Sequence, residues 1–197
     1  MDSRFACAIP RRTLARALIA GALKQCGWRR NTLVFVVNDG AKGMRSLVTA
    51  VAPRVATPML DWFHLAMKLH AIRTSLFAGQ TFVPRPLFLR RCEKIWRKVR
   101  EALWRGQAAM GIELTRMLAT SLQEEAPHLD RFYGSTADTA ARATLRLLEF
   151  LGNNASILID YARARREGRR ISTAPAESMM NQPDQPALGG STYPAVY

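Results

Sequence analysis

Cysteine is scarce. Cys7, Cys26 and Cys92 are the three in 197 residues, scattered and odd in number. None stands in a CxxC pair, which argues against a disulfide framework and a zinc ribbon and fits a reduced, cytoplasmic setting. Long apolar runs are missing as well, and none approaches the ~18 residues of a membrane span. There is no internal repeat and no glycine-rich phosphate loop, because "GAKGM" lacks the spacing of both nucleotide fingerprints. Acids are few: 15 Asp and Glu stand against 29 Lys and Arg, a formal charge of +14.

That imbalance calls for a polyanionic partner. Nucleic acid is the default, since each phosphate neutralised by Arg or Lys releases condensed counterions, although an anionic membrane surface meets the same electrostatics. The excess is uneven. Most of it lies before residue 111, the stretch from Gly111 to Asp160 is slightly acidic, and basic residues return in "RARREGRR", 163–170. Arg163, Arg165, Arg166, Arg169 and Arg170 are therefore candidate DNA contacts; the alternative is a solvated helix end, which favours cations in any case.

What is present reads as a short α/β segment followed by helices. The N-terminal stretch resembles a weak signal peptide in composition. Arg11, Arg12 and Arg16 interrupt it, however, and Leu14, Ala17, Leu18 and Leu23 have helical spacing, so an amphipathic helix is expected. "LVFVVNDG" is a β-branched apolar run closed by Asn-Asp-Gly, the pattern of a strand in a parallel sheet. "AKGMRSLVTAVA" has helical spacing at Met44, Leu47, Val48 and Val51, and a second strand is expected near Thr57–Leu60. Together these make one βαβ unit with a right-handed crossover. Five helices follow: "HLAMKLHAIRTSLFAG", "LFLRRCEKIWRKVREALWRG", "AAMGIELTRMLATSLQEE", "TADTAARATLRLLEFLGNN" with Thr136 or Asp138 as N-cap, and "ASILIDYARARREG" closed by Gly168. "PDQPALGGSTYPAVY" has no periodicity and reads as a disordered tail.

Three acids and one histidine invite chemistry. Asp39 ends a parallel-type strand, where α/β proteins place ligands and catalytic groups; it is equally a good turn-former and helix cap. Asp61 and His64 stand three apart at a strand-to-helix junction, so Asp61 can cap the helix with His64 one turn on. The pair could bind a metal or make a structural hydrogen bond. Glu177 is a lone acid among small residues downstream of the arginines, and by itself carries no signal.

The order of these groups is more specific than any one of them. "NDGAKG", then "LDWFH", then a long helical stretch, then "DYARARREGRRISTAPAESMMNQ" resembles a bacterial insertion-sequence transposase. The likeness is to the DDE class with an RNase H-like core, in the neighbourhood of the Mutator-type enzymes, and it spans roughly Leu33 to Asn181. It implies that Asp39 is the second catalytic Asp, that Asp61 and His64 form the family's Asp-x-x-His motif beside the site, and that Glu177 is the last catalytic acid. It further implies Mg²⁺ or Mn²⁺ held by Asp39 and Glu177, DNA as the partner, no membrane, and homo-oligomers in full-length members. Two divalent ions would then stabilise the attacking and leaving oxygens of phosphodiester cleavage and strand transfer.

The chain also departs from that pattern. Only Asp2 and Asp39 precede Asp61, and Asp2 follows no strand, so the family's first catalytic Asp has no counterpart. Pro175 stands where a bulky apolar residue is expected before Glu177, and the Pro/Gly-rich tail stands where a basic helix is expected. The expectation is thus a truncated, inactive transposase fragment; the alternative is a non-catalytic basic helical nucleic-acid-binding protein. The expected fold is α/β and mostly helical, a partial RNase H-like core with a large all-helical insertion. Its divisions are an N-terminal helix over 1–30, the partial core over 31–65, the insertion over 66–168, the final core segment over 169–182 and the tail over 183–197.

Overall fold

A computed structural model describes residues 11–29, 32–41, 46, 50–51, 56–77, 87–129 and 131–173. The expected tail, Glu177, and Met44, Leu47 and Val48 of the crossover lie outside these residues.

The chain is mostly helical with one small parallel sheet. Strand β1 is Val34–Asn38 and β2 is Ala56–Leu60, paired in parallel from Val34 opposite Ala56 to Asn38 opposite Leu60. Parallel neighbours need a crossover, and between them Ser46, Ala50 and Val51 are helical. The β-branched run predicts β1 to within a residue. Pro58 is tolerated inside β2 because each strand of a two-stranded sheet is an edge.

Helix α1, Arg11–Gln25, precedes the sheet. Its apolar stripe stays largely outside the core, with Leu14 49% and Leu18 65% exposed. The alanines between them give the helix little area to bury.

Helices α2 (Trp62–Phe77), α3 (Leu87–Trp104), α4 (Ala108–Glu125) and α5 (Arg131–Asn154) form a bundle in which α4 packs on both α3 and α5, and α2 closes the ring against α5 and, more loosely, α3. Leucines at helical spacing build the core: Leu65, Leu69, Ile72 and Leu76 of α2 meet Leu89, Val99 and Leu103 of α3, Leu118 and Leu122 of α4, and Leu147 and Leu151 of α5. Helix α2 runs without a break across residue 65, so the strands and the bundle are joined by a continuous rod. Short helix α6, Tyr161–Arg166, follows. It packs its Tyr161 ring against Trp62, centroids 4.9 Å apart, and stacks on Trp104 at 6.2 Å.

Two boundaries differ from the sequence expectation. Helix α5 starts at Arg131 rather than near Thr136 or Asp138; Thr136 is buried inside it and Asp138 pairs with Arg142 one turn on. Gly134 suggests a break, yet it sits where α5 passes the carbonyl of Ala126, and an added Cβ would lie 2.8 Å from that oxygen. The segment expected as one helix to Gly168 is instead a 3₁₀ turn, Ala155–Ile157, an extended link, and α6. Asp160 causes the restart: in extended conformation, its side chain accepts the Arg163 N–H at 2.7 Å as an N-cap.

Candidate functional site

Asp39 and Asp61 each follow the last residue of a strand, and those last residues, Asn38 and Leu60, are partners. The two acids therefore leave the sheet at one level, at the carboxyl ends of parallel strands where α/β folds place ligands. The Asp61 N–H donates to the Asn38 carbonyl at 2.7 Å, tying the two exits together.

Asp61 is fully buried. Its Oδ1 accepts the Phe63 N–H at 2.8 Å, which makes it the N-cap of α2 as the spacing predicts. Its Oδ2 accepts from His64 Nδ1 at 2.9 Å, from the Thr173 N–H at 3.3 Å, and from the Thr173 hydroxyl. Burial pushes the carboxyl pKa up. Hydrogen bonds from the Thr173 hydroxyl, His64, and the Phe63 and Thr173 N–H groups outweigh it and hold Asp61 below the ordinary carboxylate value. An ionised Asp61 can only accept, so Nδ1 of His64 carries the proton and Nε2 is left for other partners. The His64 side chain is 37% exposed.

The third segment arrives from far along the chain. After α6, Arg169 stands over the Phe35 ring at 5.1 Å, the Ile171 carbonyl accepts the Trp62 N–H at 3.0 Å, and Thr173 reaches Asp61. Residues 169–173 thus run from the Phe35 ring to Asp61. Tyr161 braces the same corner: its hydroxyl donates to the Leu60 carbonyl at 2.9 Å, and burial together with the nearby Asp61 charge raises its pKa.

Asp39 is exposed. Its Oδ1 accepts the Ala41 N–H at 2.9 Å, the local turn bond expected of an Asp after a strand. Gly40 follows at φ 98°, and a Cβ there would lie 2.9 Å from Phe150 and from the Asn154 side chain, so the turn presses on the end of α5. Lys68 Nζ lies 4.5 Å from the centroid of the same Phe150 ring. A groove of about 320 Å³ between α2 and α5 includes His64, Lys68 and Arg146 in its lining and contains no acid.

A two-ion centre needs several carboxylate oxygens. Both oxygens of Asp61 are occupied by hydrogen-bond donors, which leaves Asp39 as the available carboxylate at the strand ends among the described residues. No three of His, Cys, Asp and Glu come together to hold a metal among the described residues, and these residues alone do not fit a two-metal site. Glu177 follows Thr173 by four positions in the sequence, outside the described residues.

The arginine cluster is split. Arg163 pairs with Glu167 at 2.7 Å, and Arg169 pairs with the same carboxylate. Arg165, Arg166 and Arg170 are exposed, with no ion pair among the described residues. Thr173, Lys68 and Arg146 carry no signal as isolated letters; Lys68 alone was accessible, being four residues after His64 and so on its helix face. Among the described residues no helix is long and apolar enough to cross a membrane.

No protein family, curated protein or solved structure gives a significant match to the chain.

Proposed function

We propose that this chain is a DNA-binding member of the bacterial insertion-sequence transposases of the DDE class, with the β1–β2 unit as part of an RNase H-like core and α2–α5 as a helical insertion. The observation that carries the reading is the hydrogen bonding of Thr173 to Asp61, 112 residues apart, at the exit of strands whose other acid is Asp39. The three segments singled out by the resemblance meet at one place, with the helices between them. A chance assortment of basic helices has no reason to bring them together.

The parent chemistry is two-metal phosphodiester cleavage and joining, with Mg²⁺ or Mn²⁺ and with Asp39 and Glu177 as its candidate ligands. The chain supplies at most those two of the family's three acids, and groups that act as a unit fail together when one is lost. These 197 residues by themselves are therefore proposed to bind DNA without strand transfer. The test is nicking of supercoiled plasmid with Mg²⁺ or Mn²⁺ by the wild-type chain beside Asp39→Ala and Glu177→Ala. No metal-dependent nicking is expected from any of them, with DNA binding retained in Asp39→Ala. Nicking by the wild type that both substitutions abolish would overturn the proposed lack of strand transfer.

A further inference from the structure

The described residues carry a second group of positive charge, larger than the five arginines of 163–170, on α3. Between Arg90 and Arg100 that helix carries six cations, and over its whole length only Glu93 and Glu101 as acids. Its seam with α2 is the loosest in the bundle, and it holds a groove of about 500 Å³. Arg97 and Arg100 approach the groove from α3, and His70 and Arg73 from α2; Glu93 is the single acid in its lining and pairs with Arg97.

Trp96 also lines this groove. Its indole N–H is committed to the Leu69 carbonyl at 2.9 Å, which fixes the ring between the two helices while leaving it half-buried. Cations around a fixed aromatic ring are the elements of a single-strand site, in which the cations follow the phosphates and a base stacks on the ring. A duplex would meet the cations but bring no unstacked base to the indole.

We infer that the α2–α3 groove binds single-stranded nucleic acid, with Arg73, Arg97 and Arg100 on the phosphates and Trp96 as a stacking surface. This rests on the nucleic-acid reading above and names a second face for it, separate from the strand ends.

The experiment is fluorescence anisotropy of the full chain with a labelled single-stranded oligonucleotide across a salt series. The variants are Arg73→Gln/Arg97→Gln/Arg100→Gln, Arg165→Gln/Arg166→Gln/Arg170→Gln, Trp96→Phe and Trp96→Leu. The first triple variant is expected to weaken binding at least about tenfold and to flatten the log–log salt slope by about two units, at ~0.7 per phosphate contact. Trp96→Phe keeps a ring and should bind nearly as well as wild type. Trp96→Leu should lose about fivefold or more. If the first triple variant binds with wild-type affinity and slope while the second loses binding, the groove is wrongly assigned and the nucleic-acid reading survives. If the wild type fails to bind even at low salt, that reading falls and the groove with it.

Discussion

Asp61 concentrates more of the site's energetics than any other residue. A buried carboxylate is costly unless donors surround it, and here four hydrogen bonds from three residues do so. Asp61→Ala removes a helix cap and leaves the Phe63 N–H, His64 and Thr173 without their acceptor. It should cost about 2–4 kcal/mol in urea unfolding. The carboxyl also links stability to pH. Its folded pKa lies below the ordinary 3.8, so its stabilisation is fully present above that value and is lost as pH falls through the folded pKa. Wild type should therefore lose stability below about pH 4 more steeply than Asp61→Asn, a comparison that urea midpoints at several pH values would make directly. Tyr161→Phe should cost about 1–2 kcal/mol by the same measurement, since it deletes one buried hydrogen bond and leaves the ring packing in place.

Individual helices show where local sequence decides structure and where it does not. Both strands were legible because β-branched and apolar runs ending in turn residues have few other solutions, and Asp61 was legible as a cap from position alone. The start of α5 was not, because Thr136 and Asp138 are good caps by residue type while Thr136 is in fact buried inside the helix. The restart at α6 was hidden because "ILIDYARAR" keeps helical spacing through the extended link. Two glycines of α5 turn this into a measurement. Gly152 has open space around it, so Gly152→Ala should stabilise the chain by about 0.5–1 kcal/mol. Gly134→Ala should lose that gain to the Ala126 carbonyl and destabilise by about 1 kcal/mol or more. Thermal unfolding of the two variants side by side separates the cases. An equal gain in both would mean that the crossing is looser than described.

Across the whole molecule, the bundle supplies the core and the sheet supplies the site. Of the two roles open to Asp61 and His64, the structure shows the hydrogen bond. The parallel strands and the helical bundle followed from spacing. Thr173 did not, because its contact with Asp61 spans 112 residues and no periodicity reports such a distance; only the ordered set of motifs pointed to that segment. The charge was visible in composition, but its concentration on α3 beside a groove required the fold. The proposed DNA binding acts through the phosphates. The most direct measurement is the affinity for a duplex of arbitrary sequence between about 50 and 200 mM salt. Several phosphate contacts predict a log–log slope of about −4 or steeper, at ~0.9 per contact, with little change when the sequence is scrambled. An affinity that does not move across that range would contradict the account.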